Sequence, residues 1–134
     1  MDLETGKKFV RERNYIEAEK IFINLLHKGE NLILVNYFLG IIYFELQKYK
    51  QSKFHYENSL KLNPNSKEIL INLAYLEQSY GKLKEAKSIY RKLLNLDPYY
   101  IETYYRIYLL NYGSLKEEYE NIFFEIIKKK FITT

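Results

Sequence analysis

The stretch Leu39-Gly40-Ile41-Ile42-Tyr43-Phe44-Glu45-Leu46-Gln47-Lys48-Tyr49-Lys50-Gln51-Ser52-Lys53-Phe54-His55-Tyr56, with a proline following at position 64, decides how the chain folds. Moved forward by 34 residues, its markers Leu39-Gly40, Tyr43, Tyr49, Ser52, Tyr56 and Pro64 fall on Leu73-Ala74, Glu77, Leu83, Ala86, Tyr90 and Pro98. Moved back by the same step, they fall on Thr5-Gly6, Phe9, Tyr15, Ala18, Phe22 and Glu30. A fixed period of this length marks stacked supersecondary units. Within a unit the apolar residues follow three-and-four spacing, as in Leu39, Ile42, Tyr43 and Leu46, then Phe54, Leu60 and Leu62, which is the spacing of a helix face. Short polar turns at Arg13-Asn14, Gln47-Lys48 and Gly81-Lys82 divide each unit into two helices. Asn63-Pro64-Asn65-Ser66 and Asp97-Pro98 close two units, because proline ends a helix and Asn or Ser caps the next; Gly29 and Asn31 take that role in the first. Small residues on the first helix (Gly6, Gly40, Ala74) and on the second (Ala18, Ser52, Ala86) let the paired helices approach closely.

These residues resemble the tetratricopeptide repeat family. Leu39-Gly40-x2-Tyr43, Ser52-x3-Tyr56 and Pro64 meet the family pattern, and Leu73-Ala74, Ala86-x3-Tyr90 and Pro98 meet it again. The family's Trp position holds Asn36, Leu70 and Tyr104. The resemblance implies an all-α fold, a right-handed superhelical solenoid of antiparallel helix pairs. It divides the chain into a single domain of four units, 1–32, 33–66, 67–100 and 101–134, giving eight helices. The last unit is irregular. Tyr112-Gly113-Ser114-Leu115-Lys116-Glu117 echoes Tyr80-Gly81-Lys82-Leu83-Lys84-Glu85 at a distance of 32 residues, two short of the period. Ser114 and Glu117 form a capping-box pair ahead of a final helix carrying Leu115, Tyr119, Ile122, Phe123, Ile126, Ile127 and Phe131. So apolar an end helix predicts docking on something, or a natural chain that continues.

Composition removes several function classes. Of the 134 residues, 47% are hydrophobic and 28% charged, an ordinary globular balance, and the length suits one domain. The absence of Cys removes disulfides, thiol catalysis and Cys-ligated metal centres. His27 and His55 sit at different repeat positions with no partner ligands, so no metal and no other cofactor is expected. The five glycines are too scattered for a phosphate-binding loop. The longest apolar run, Leu32 to Phe44, is 13 residues against the roughly 20 needed to cross a bilayer, and the N-terminus has no apolar leader. A cytoplasmic protein without a membrane partner is the expectation. The net charge is +4, mostly from Lys, which supports no nucleic-acid partner by itself. Lys48, Lys50 and Lys53 recur as Lys82, Lys84 and Lys87, a patch that reads first as a solvated edge.

In the tetratricopeptide family the first helices line a concave face, and the resemblance places ligand contacts at fixed positions of each. In this sequence those positions hold Leu34, Tyr37, Phe38, Ile41 and Phe44, then Glu68, Ile71, Asn72, Tyr75 and Gln78, then Glu102, Tyr105, Arg106, Leu109 and Tyr112. The candidate peptide groove is therefore Tyr37, Phe38, Ile41, Phe44, Ile71, Asn72, Tyr75, Tyr105, Arg106 and Leu109. Asn72 suits a backbone amide and Arg106 a carboxylate. Leu3, Phe38 and Ile41 occupy positions that should be polar in the family branch that clamps a peptide's C-terminal carboxylate, which argues against that branch. The function expected is a non-catalytic scaffold for a protein or peptide partner. Two other readings stand beside it: the substrate-selecting front of a larger glycosyl- or sulfotransferase-type enzyme, and a homo-oligomer formed through the last helix.

Overall fold

The computed structural model describes residues 2–109 (backbone only at 108 and 109) and, beyond them, the helical positions 117, 120, 121, 124, 125 and 128. Seven helices run in order among the described residues: α1 Leu3–Arg11, α2 Tyr15–Lys28, α3 Leu32–Glu45, α4 Tyr49–Leu62, α5 Lys67–Ser79, α6 Leu83–Leu96 and α7 Ile101–Leu109. They pair as α1 with α2, α3 with α4 and α5 with α6, and the pairs stack into an all-α solenoid. The capping pair Ser114/Glu117 and most of the apolar residues expected in the last helix lie outside the described residues.

The turn inside each pair repeats its backbone as well as its chemistry. Arg13, Gln47 and Gly81, spaced one period apart, all have positive φ, at 60°, 61° and 76°. Behind each of them the next amide reaches back over the helix end, Asn14 to the Phe9 carbonyl at 2.8 Å, Lys48 to Tyr43 at 2.7 Å and Lys82 to Glu77 at 2.8 Å. This is the left-handed helix stop that satisfies terminal carbonyls, and two of the three units build it without glycine. The junctions between pairs differ. Gly29 at φ 70° and Asn31 at φ 49° turn the first, whereas the second uses extended Asn63 before Pro64, with Ser66 capping α5 by accepting from the Ile69 amide at 3.4 Å.

The core is a chain of three apolar clusters. Phe22, Leu25, Val35 and Leu39 belong to one between α2 and α3; Tyr56, Ile69, Leu73 and Leu76 join α4 to α5; Leu70, Ala74, Tyr90, Leu93 and Ile107 carry the third to α7. Each cluster reaches only its neighbours, as a solenoid requires. The small residues sit where the sequence places them. Gly40 lies under the ring of Tyr56, and the Ser52 hydroxyl, fully buried, donates to the Gly40 carbonyl at 2.7 Å. Ser59 does the same for the Ile33 carbonyl, so α4 is bonded as well as packed against α3.

Asn36, in place of the family's Trp, is buried and donates to the Leu32 carbonyl at 2.9 Å. Its carbonyl then accepts from Nδ1 of His55 at 2.8 Å, an assignment fixed by the bonding network, and the imidazole stacks on Tyr43. Burial holds the His55 imidazole below its ordinary value.

Two outcomes are expected. A β-carbon at Gly40 would stand 2.5 Å from two ring atoms of the buried Tyr56, so Gly40→Ala loses about 1–3 kcal/mol despite alanine's better helix propensity, read as a lowered thermal midpoint. His55 binds its proton more weakly in the fold than in the unfolded chain, where the value is about 6.5. Stability is therefore complete above that value and falls as pH drops through it. Urea midpoints at about pH 7.5 and about pH 5.5 should differ, and His55→Gln should flatten the difference.

Candidate functional site

On the side of the solenoid formed by α3, α5 and α7, one concavity of about 200 Å³ is lined by Ile41, Phe44, Glu45, Tyr56, Asn72, Tyr75 and Arg106. Five of these are residues expected in the groove. The stacking of pairs brings them together, because α3 packs on α5 and α5 on α7. Phe44 and Tyr75 meet with ring centroids 5.4 Å apart, and the Arg106 guanidinium lies 4.3 Å from the Tyr75 centroid. Nε of Arg106 also donates to Glu102 at 3.0 Å, one helical turn back on α7. The guanidinium of this lining residue is thus held in position by a ring and a carboxylate.

Asn72 donates to the Tyr37 hydroxyl at 3.0 Å, which ties α5 to α3 and fixes the orientation of the amide. Burial raises the Tyr37 phenol above its ordinary value, against the opposing effect of the Asn72 bond. Phe38 is half-buried and stacks on Phe22 at 5.1 Å, with Lys7 over its outer part at 6.0 Å. It lines the face nearer α1 and shares its ring with the first core cluster. Tyr105 is 54% exposed on α7. Ile71 departs from expectation. It is only 5% exposed and packs with Tyr90 and Ile107 in the third cluster, because its position on α5 turns toward the seam with α7 rather than toward solvent. The backbone of Leu109 ends α7, and its side chain lies outside the described residues. Gln78, also at a contact position, is half-buried and accepts from the Tyr90 hydroxyl at 2.6 Å.

A second depression, about 420 Å³, opens between α4 and α6 over α5. Its floor contains Glu77, 1% exposed, whose carboxylate accepts from the Tyr49 hydroxyl at 2.6 Å and from Lys53 at 3.4 Å. Burial works against the Lys53 ammonium, yet the Glu77 charge and the Tyr49 hydroxyl hold its value above the ordinary one. Among the described residues no three His, Asp or Glu side chains gather as a metal site.

Residues 33–66 and 67–100 each match the tetratricopeptide repeat, and the two matches together span half the chain. The chain belongs to the tetratricopeptide repeat family. These tetratricopeptide matches begin and end where the sequence period places the second and third units. Over 77 residues the chain is 39% identical to the uncharacterized protein ycf37 of Pyropia yezoensis, covering 56% of this chain and 42% of that protein. Over 82 residues it is 35% identical to a TPR repeat-containing protein of Methanocaldococcus jannaschii, covering 61% of this chain and 14% of that one. It spans less than half the length of these curated relatives. Its backbone is similar to the second TPR domain of human RPAP3, solved by NMR in complex with an HSP70 peptide, with a TM-score of 0.71, 20% identity and coverage of 81% of this chain and 91% of that one. At that identity the likeness is one of fold.

Sequence reasoning missed Glu45 and Tyr56 as walls of the concavity and Glu102 as the partner of Arg106. The last was legible, since the two lie four apart on one helix. The buried polar cluster around Glu77 had one signal: a carboxylate stands where Phe9 and Tyr43 stand in the preceding units. Removing it leaves the Tyr49 hydroxyl and Lys53 ammonium without their acceptor, so Glu77→Ala should cost about 2–3 kcal/mol in urea unfolding, and Glu77→Gln clearly less.

Proposed function

We propose that the chain is a non-catalytic interaction scaffold holding an extended or helical segment of a partner protein across the face of α3, α5 and α7. The observation that carries this reading is the concavity itself. Apolar walls from Ile41, Phe44 and Tyr75 surround two oriented polar groups, the Asn72 amide and the Arg106 guanidinium. That is the composition of a peptide site, where apolar contact gives area and a few polar groups give register. With its NH2 committed to Tyr37, Asn72 offers its carbonyl oxygen to a peptide N–H. Arg106, oriented by Tyr75 and Glu102, suits a carboxylate of the ligand. The complex of the RPAP3 domain with a peptide supports the same use of the fold here.

The test separates binding from folding. Arg106→Glu reverses the charge at the concavity while losing only a part-exposed pair and one ring contact, about 1 kcal/mol of stability. Affinity capture from a lysate of the source organism, read by mass spectrometry, should lose a partner at least ~10-fold with this variant. Tyr75→Ala should act in the same direction. Loss of thermal stability in proportion to loss of binding would mean that these residues serve the fold and not a site.

A further inference from the structure

The charge of the chain is divided unevenly between the two sides of the solenoid. From Lys48 to Leu62, α4 and its leading turn carry four lysines against Glu57. From Lys82 to Leu96, α6 and its leading turn carry four lysines and Arg91 against Glu85. Nine cations and two carboxylates give these two segments +7. The whole chain is +4, so everything else sums to −3. A lysine-rich composition alone would spread lysine over both helix layers. Here it is concentrated on the second helices of adjacent pairs, away from the α3–α5–α7 concavity.

Lys48, Lys50, Lys61, Lys82, Lys84, Arg91 and Lys92 are all exposed. Lys53 is bound internally, to Glu77 and Glu57, Lys92 reaches the Pro64 carbonyl, and Lys48 lies over the Tyr43 ring at 5.9 Å. Apolar side chains protrude among them. On α4, Phe54 is 60% exposed on the face of Lys50 and Lys61, and Leu62, two turns further on at the helix end, is 53% exposed. Beside Leu62, the exposed Leu32, Ile33 and Leu34 at the start of α3 continue the apolar area.

We infer that this outer face of α4 and α6 is a docking surface for an anionic lipid bilayer. Lysines at the headgroup level meet the surface charge, and Phe54 and Leu62 enter the boundary between headgroups and acyl chains. Basic charge interleaved with protruding apolar side chains is what peripheral attachment needs, since charge brings the protein to the surface and buried apolar area holds it there. Two features favour lipid over nucleic acid. The cations are lysines almost throughout, whereas phosphate reading favours the bidentate fork of Arg. The exposed rings are few, Phe54 and a Tyr80 that is packed against Tyr49 with centroids 4.8 Å apart, so no run of open rings is presented on which bases stack. The attachment is peripheral: among the described residues no helix is long and apolar enough to cross a membrane. It leaves the concavity facing away from the bilayer.

Co-sedimentation of the full chain with vesicles tests this. Vesicles of phosphatidylcholine with about one third phosphatidylserine should carry the protein into the pellet at low salt, pure phosphatidylcholine should not, and high salt should release it. Lys50→Glu with Lys84→Glu should weaken binding at least ~10-fold, and Lys61→Gln with Lys82→Gln should weaken it in the same direction without reversing any charge. Phe54→Ser with Leu62→Ser should weaken it ~10-fold at unchanged net charge. Circular dichroism melting confirms that each variant is folded. Protein that stays in the supernatant with anionic vesicles overturns the inference, as does binding that ignores all three variants. A labelled single-stranded oligonucleotide bound through the same lysines, with vesicles left unbound, would overturn it in favour of a nucleic-acid surface.

Discussion

Two helices lie side by side only as closely as their contact residues allow, and in this chain that distance is set by a ring resting on a residue with little or no side chain. Tyr56 covers Gly40 and Phe22 covers Gly6, each so near that a β-carbon would collide with the ring. Ala74 provides the third such position, buried in the same cluster as Tyr90. Because the aromatic comes from the second helix and the small residue from the first, every pair closes with one geometry, and pairs of one geometry stack in one direction. The row of first helices, and so the concavity between α3, α5 and α7, follows from that contact. Dense packing makes it unforgiving, since interiors of this kind leave no room for an added methyl group.

Most of this architecture was legible in the sequence. The period located the turns, and the spacing of small and aromatic residues located the pair contacts, because both are consequences of local stereochemistry repeated at a fixed step. The left-handed residue in each turn was less obvious. Gly81 announces it, but Arg13 and Gln47 do not, and only their alignment with Gly81 links them. The candidate site divided in the same way. Ile41, Phe44, Asn72, Tyr75 and Arg106 converge as the repeat positions imply. Ile71 does not, because helix rotation relative to the next pair decides which of two neighbouring positions faces the seam, and a repeat count carries no information about a few tens of degrees of rotation. A polar partner on another helix, such as Tyr37 for Asn72, depends on side-chain reach, which is settled only once the helices are placed.

The two sides of the solenoid solve different problems with similar residues. On the concave side aromatic rings are mutually packed, and charge is sparse and oriented: Arg106 sits on Tyr75, and Lys7 leans over Phe38. On the outer side lysines are numerous and mostly exposed, and Phe54 is 60% exposed among them. An oriented cation selects a particular group, whereas a field of exposed lysines responds to a surface of opposite charge.

The polar contact at the seams between pairs has an implication for the order of the units. At the first seam the Tyr43 phenol faces Glu19, and together with burial this pushes its value up to about 12. At the second, one period on, the roles are exchanged: a carboxylate, Glu77, stands where Tyr43 stood, and Lys53 stands where Glu19 stood. Units alike in backbone are therefore not interchangeable neighbours. Were the third unit set directly against the first, Glu77 would still find a hydroxyl in Tyr15, but its second oxygen would face Glu19, and two carboxylates would meet at one seam. The repeats thus carry an address in their buried charges: the order found here gives Glu77 both a hydroxyl and a cation, and that rearranged order would not.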